Sequence, residues 1–213
     1  MRKKTAEEGA FERARLMWEK DARILSRLYR IAGQEDYEAA LRAILACRGR
    51  VVTMGMGTSG IAARKIAHML CVANIPSYFV SAGDAAHGAF GSVRKEDLLI
   101  MISRGGGTEE LVNLVEPARE KGITLITVTQ NPDSPLARAS GLLLLLDTEE
   151  ADHRGVLPTA SILAVIAFFD AIADELSRRP QFSKKDFYHN HNHGAVGAWL
   201  KEELGKEKEQ EKP

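Results

Sequence analysis

Two cysteines in a chain of 213 residues are too few for a disulfide scaffold, and Cys47 and Cys71 lack the spacing of a metal site. Their scarcity points to a reducing compartment, so a cytoplasmic protein is expected. Net charge is missing too. The 29 basic residues balance 29 acidic ones, and no global field draws the chain to nucleic acid or to an anionic membrane. Neither is expected as a partner. Long apolar runs are also wanting: the longest, Ile162 to Ala173, is broken by Asp170 and too short to span a bilayer. Met1-Arg2-Lys3-Lys4 is basic, but no apolar stretch follows it, so no signal peptide is expected. No internal repeat breaks the chain into units, and its length suits one sizeable core.

Two nucleotide signatures are incomplete. Gly55-Met56-Gly57-Thr58-Ser59-Gly60 spells Gly-x-Gly-x-x-Gly, a pattern that binds dinucleotides when an acid ends the next strand and holds the ribose. The next strand candidate, Pro76 to Val80, ends in Ser81, with no acid in place. No Gly-Lys-Ser/Thr follows the glycines, which excludes a nucleotide P-loop. No cofactor is expected.

What remains is a pair of glycine turns, the first at Gly55 to Gly60 and the second at Ser103-Arg104-Gly105-Gly106-Gly107-Thr108. Each follows a short apolar run, Val51 to Met54 or Leu98 to Ile102, and each opens a helical pattern. A strand, a tight turn and a helix start gather backbone N–H groups and the positive helix end at one spot, which suits an anion. On neighbouring parallel strands the two turns would share one crevice, and we read them as the site of one phosphorylated small molecule.

Strands are expected at 51–54, 77–80, 98–102, 124–128 and 142–146, as continuous Val/Ile/Leu runs without alternation. Such runs fit an α/β fold, a five-stranded parallel sheet flanked by helices on both faces in three layers. Helices are expected from about Ala6 to Ala32, from Asp36 to Cys47, at 60–73 and 108–121, and from Thr159 to Leu176. The first should carry Phe11, Ala14, Trp18, Leu25 and Leu28 on one stripe, with Trp18 read as core. Residues 1–200 should form one domain, and the charged stretch Lys201 to Pro213 an unstructured tail. The apolar first helix and the Thr159–Leu176 helix exceed what one small sheet covers, so a homo-oligomer is expected.

Side chains able to do chemistry cluster after the strands. Glu109 and Glu110 open the helix after the second turn, Glu149 and Glu150 follow the fifth strand, and His87 follows the second. His189, His191 and His193 alternate and in an extended segment could face one way, but no cysteine or acid is adjacent, and no metal is expected.

In order along the chain, these stretches resemble the sugar isomerase (SIS) domain superfamily, and most closely the SIS domain of bacterial arabinose 5-phosphate isomerases. The resemblance runs from about Tyr37 to Leu200. It rests on the first turn with Arg64-Lys65-Ile66-Ala67, Ala85-Ala86-His87-Gly88-Ala89-Phe90-Gly91, the second turn with Glu109-Glu110, Pro158-Thr159-Ala160-Ser161, and His191-Asn192-His193-Gly194-Ala195-Val196-Gly197. It implies a sugar-phosphate aldose–ketose isomerase built as a homodimer or homotetramer with shared active sites. Ser59, Ser103, Gly105, Gly106 and Thr108 would surround the sugar phosphate, and Glu110, Glu150, His191 and His87 would be catalytic; Gly57, Thr58 and Arg104, which stand in the same two turns, are expected to line the substrate as well. The resemblance stops at the SIS domain, without the family's CBS pair, which implies a stand-alone catalytic or sensing domain. A non-catalytic sugar-phosphate-binding regulator and a 6-phospho-3-hexuloisomerase are the alternatives. The family's first turn carries a lysine where this chain has Thr58, and its second reads Ser-Asn-Ser-Gly where this chain has Ser103-Arg104-Gly105-Gly106. A cation leaves one turn and enters the other, so Arg104 is expected either to reach across the crevice to the phosphate or enediolate in the lysine's place, or to lie in solvent or pair with a nearby acid.

Overall fold

The computed structural model describes residues 9–148, 152 and 155–210, with the backbone alone over 207–210. Its centre is one sheet of five parallel strands: β1 (Val51–Gly55), β2 (Ser77–Phe79), β3 (Leu98–Ile102), β4 (Thr124–Thr129) and β5 (Leu142–Leu145). The strand order is β2-β1-β3-β4-β5. Every residue of β1 and β3 is buried, as their uninterrupted apolar sequences require of strands covered on both faces.

Alternate residues of each strand feed two separate cores. Val51, Leu98, Ile100, Ile102, Ile126 and Val128 meet α3 (Gln34–Ala46), α4 (Gly57–Val72) and α9 (Ala160–Ser177) through Ile44, Ile66, Leu70, Phe168, Phe169 and Ile172. Val52, Met54, Leu99, Met101 and Leu125 meet α5 (Ala82–Ala86), α6 (Glu109–Val112), α7 (Val115–Glu120) and α8 (Pro135–Ala139) through Ala82, Ala85, Leu111, Leu114, Ala118 and Leu136. The three layers are those expected. Asp170, the charge that interrupts the apolar run of α9, pairs with Lys65 on α4 and so ties the two covering helices together.

The helices differ from expectation in four places. The first breaks at Arg27 into α1 (Ala10–Ser26) and α2 (Leu28–Ile31). The helix expected over 108–121 breaks between α6 and α7. Pro117 supplies the reason: it has no N–H to give the Asn113 carbonyl, and the break places it in the first turn of α7, where none is needed. Trp18 is not core. It is 58% exposed and packs edge to face on Phe11, because α1 turns Asp21, not the aromatic stripe, towards the body of the chain. Finally, α11 (Gly194–Gln210) runs on through the charged stretch expected to be unstructured, where Lys206 pairs with Glu202 and Glu203 one turn away. α11 follows α10 (Lys184–Asn190), and Leu200 is its buried anchor.

Asp21 is the anomaly of this packing. It is 8% exposed, and its Oδ1 has no hydrogen-bond partner among the described residues. Burial pushes its carboxyl above the usual range, the charge of Asp152 adds to the effect, and Lys20 offsets part of it. A raised carboxyl binds its proton more tightly folded than unfolded, so stability should fall as pH rises from the ordinary carboxylate range through the raised value. Asp21→Asn should therefore melt above the parent protein at pH 7, with the gap closing towards pH 4. Calorimetry across that range checks this; a variant that melts lower at pH 7 would mean the ionised form is stabilised in the fold.

Candidate functional site

The site follows from the strand order. After β1 the chain crosses through α4 on one face to β2; after β3 it crosses through α6 and α7 on the other face to β4. The order therefore reverses between β1 and β3, and the carboxyl ends of strands at such a switch point open a crevice. Gly55 pairs with Ile102 in the β1–β3 register, so the two glycine turns leave the sheet at the same level, side by side.

The first turn is held by close backbone approach. A β-carbon on Gly60 would lie 2.7 Å from the Gly55 carbonyl oxygen, and one on Gly55 would lie 2.7 Å from the Ser59 carbonyl group. Gly57 begins α4 at a φ of +52°. No side chain caps the N-terminus of this 16-residue helix, so the N–H groups of its first turn face the crevice with the positive end of the helix dipole. Thr58 and Ser59 are half-buried there.

The second turn is braced from β4. The Arg104 carbonyl accepts the hydroxyl of Thr129 at 2.9 Å and the N–H of Gln130 at 2.9 Å. Gly106 has a φ of +65° and packs so tightly on Ser134 that a β-carbon would fall on that side chain. The buried Ser103 hydroxyl lies 2.8 Å from that of Thr108 and accepts the Gly106 N–H at 3.1 Å. Gly106 therefore spends its N–H inside the turn, and Gly105 lies in open space at its rim.

Arg104 does not reach across to the first turn. Its Nε donates to Gln130 Oε1 at 3.0 Å and its Nη1 to the Gly155 carbonyl at 3.0 Å, with Asp152 Oδ2 3.2 Å from Nη1. Arg104 borders a cavity of about 30 Å³ that Ser59, Thr129, Gln130, Pro158 and Ser161 also line.

Glu110 is half-buried in α6, which packs against the α5 segment; His87 caps the end of α5 and is exposed. The structure thus brings Glu110 and His87 onto neighbouring elements of one face. Glu149 and Glu150 lie outside the described residues. His191 is not near the turns of its own chain. It ends α10, stacked on Phe187 with ring centroids 5.7 Å apart, and the adjacent Asn190 bonds the Cys71 carbonyl and Asn74 at the far end of α4. His191 is thus placed by the end of α4 remote from the crevice, and a helix of 16 residues is about 24 Å long. The three alternating histidines do not share an extended segment, since His189 lies in the last turn of α10. Asp152, Gln130 and Thr148 were not singled out from the sequence. Asp152 caps α9 from outside the usual spacing, accepting the N–H of Thr159 and of Ser161, and no local pattern signals that.

The family model of the SIS domain matches residues 44–174. The chain belongs to the SIS domain family. The matched span holds all five strands and both glycine turns of this SIS domain. The chain is 39% identical over 167 residues to the arabinose 5-phosphate isomerase KdsD of Pseudomonas aeruginosa, an alignment covering 78% of this chain and 51% of that protein. The chain therefore spans about half the length of the curated relatives it matches. Among solved structures, a candidate sugar-phosphate isomerase from Listeria monocytogenes superposes with a TM-score of 0.84 at 36% identity, covering 89% of this chain and 100% of the other. A protein of Escherichia coli CFT073 in complex with arabinose 5-phosphate superposes with a TM-score of 0.82 at 29% identity, covering 88% and 100%.

The Gly55–Gly60 approach is directly testable. Alanine normally favours a helix over glycine by about 1 kcal/mol. At Gly60 the added methyl meets backbone that cannot move aside, so Gly60→Ala should instead destabilise by about 1–3 kcal/mol in urea unfolding. A variant as stable as the parent protein, or more so, would mean that the turn is looser than described.

Proposed function

We propose that this SIS domain interconverts the aldose and ketose forms of a phosphorylated sugar, with arabinose 5-phosphate the first substrate to try. The observation that carries the reading is the pairing of Gly55 with Ile102, which sets two N–H-lined turns at one switch point. Similarity to the Pseudomonas aeruginosa isomerase supports the choice of sugar. The uncapped N-terminus of α4, with Thr58 and Ser59, takes the phosphate, while Ser103, Gly105 and Thr108 line the opposite side.

Aldose–ketose exchange needs an open sugar chain, a base and donors for the enediolate oxygen. His191 serves as the acid that opens the ring. Because it lies a helix length from the crevice of its own chain, it acts in the site of a second copy, which makes the site complete only in an oligomer. The exposed Phe11, Leu16, Trp18 and Tyr29 of α1 and α2 supply apolar surface for such assembly. Glu150 removes the proton from C2 and returns it to C1, while a proton passes from O2 to O1; Glu110 is its partner and His87 completes the wall. Bonds and charges balance without a cofactor.

A second reading has its own observation. With Thr58 in the first turn and Arg104 turned towards Asp152, neither turn points a cation at the crevice, as suits a sugar-phosphate sensor that has lost catalysis.

Incubation with sugar phosphates in D₂O separates the two readings. The enzyme reading requires deuterium at C1 or C2 by NMR; the sensor reading requires a raised melting temperature with no exchange. Glu150→Gln should lower turnover about 10²- to 10⁴-fold, the usual worth of a general base, while sugar-phosphate stabilisation persists. A loss under tenfold would move the proton shuttle to Glu110.

A further inference from the structure

Alternation along β1 separates the two faces that meet at the crevice. Thr53 gives its hydroxyl to the Ala63 carbonyl of α4 at 2.7 Å, and Gly55 lies against Ser59 and Gly60 of the same helix. The residues between them turn the other way: Val52 and Met54 enter the core that α5 and α6 cover with Ala82, Ala85 and Leu111. Met56 continues that series. Its backbone is still extended, at φ −111° and ψ 152°, and its side chain packs on the same core. Met54 is wholly enclosed, whereas Met56 is only half-buried. Because Gly55 pairs with Ile102, Met56 stands level with Ser103, whose hydroxyl meets that of Thr108 and accepts the Gly106 N–H. Met56 therefore belongs to the first glycine turn by sequence, yet it lies on the face of the sheet that carries α5 and α6, with His87 and Glu110, and not on that of α4. A thioether there has no hydrogen-bond donor and is only a weak acceptor, so a sugar hydroxyl pressed against it would lose its partners in water.

We propose that Met56 sets the length of the sugar that the site accepts. A phosphate held at the N-terminus of α4 fixes one end of the chain. The carbonyl end then lies one carbon farther away in an aldohexose 6-phosphate than in an aldopentose 5-phosphate. Met56 fills the step from the phosphate turn to the α5–α6 face, so the shorter chain fits and the longer one meets the thioether. Methionine suits such a wall, because its unbranched side chain moulds itself to an irregular gap. The proposal deepens the sugar-phosphate reading and rests on it for the place of the phosphate, but it does not require proton transfer.

The experiment compares dissociation constants for arabinose 5-phosphate and glucose 6-phosphate on the full chain, by calorimetric titration, so that binding is read without turnover. The parent protein should hold arabinose 5-phosphate the more tightly. Met56→Ala removes more atoms than one extra hydroxymethylene brings. It should shift the ratio of the two constants towards glucose 6-phosphate by about 10- to 200-fold, the usual worth of one methylene in a pocket. Met56→Leu keeps the bulk and should move the ratio less than about threefold. Thr58→Ala, at the phosphate end, should weaken both sugars by a similar factor. Met56→Val trims the side chain less and keeps the test open if Met56→Ala fails to fold; its ratio should move in the same direction. An unchanged ratio in the trimmed variants, with both sugars weakened alike, would overturn the proposal and leave Met56 a packing residue. A parent protein that prefers glucose 6-phosphate would overturn it as well. If the ratio shifts as expected but neither sugar is turned over, the isomerase reading fails and length selection stands. If the parent protein binds neither sugar phosphate, both fail.

Discussion

The parallel pairing of β1 with β3 governs everything at the site. Because Gly55 stands opposite Ile102, both crossovers begin at one level, one helix leaving over each face of the sheet. Reversed strand order then keeps the space between the turns free of connecting chain. Backbone N–H groups and a helix end can bind an anion only if the turn that presents them is stiff, and each turn is stiffened differently. Gly55 and Gly60 lock the first by direct backbone contact, and Thr129, Gln130 and Ser134 brace the second from β4 and α8. The sheet thus does more than support the site, since the end of its fourth strand sets the shape of a turn on its third.

Local sequence was a sufficient guide wherever the physics is local. All five strands lie within two residues of the expected spans, because both faces are covered and a buried strand advertises itself as an unbroken apolar run. The glycine turns were legible for the same reason: close approach leaves glycine little competition. The break that separates α6 from α7 was missed although its signal is local: Pro117 lacks an N–H for the Asn113 carbonyl and fits only the first turn of a new helix.

Contacts between distant elements were not legible. Asp152 caps α9 from well upstream and takes its counter-charge from a turn on the other side of β4, so no window of sequence contains the set. Asp21 is buried for the sake of how α1 lies on α9, and its stripe of aromatic residues, the strongest local signal in that helix, stays outside. His191 illustrates the same limit from the other direction. The motif around it marked it as a candidate, yet it lies by the end of α4 that is remote from both glycine turns, a placement no local pattern announces.

The two turns acting as one anion site is the claim on which the rest hangs, and ¹⁵N NMR tests it directly. Labelled protein would be titrated with arabinose 5-phosphate while the amides of Gly57, Thr58, Ser59, Gly105 and Gly107 are followed. One site requires all five to shift along a single isotherm, with free arabinose at the same concentrations leaving them in place. Shifts confined to one turn, separate isotherms for the two, or a response centred elsewhere in the chain would contradict it.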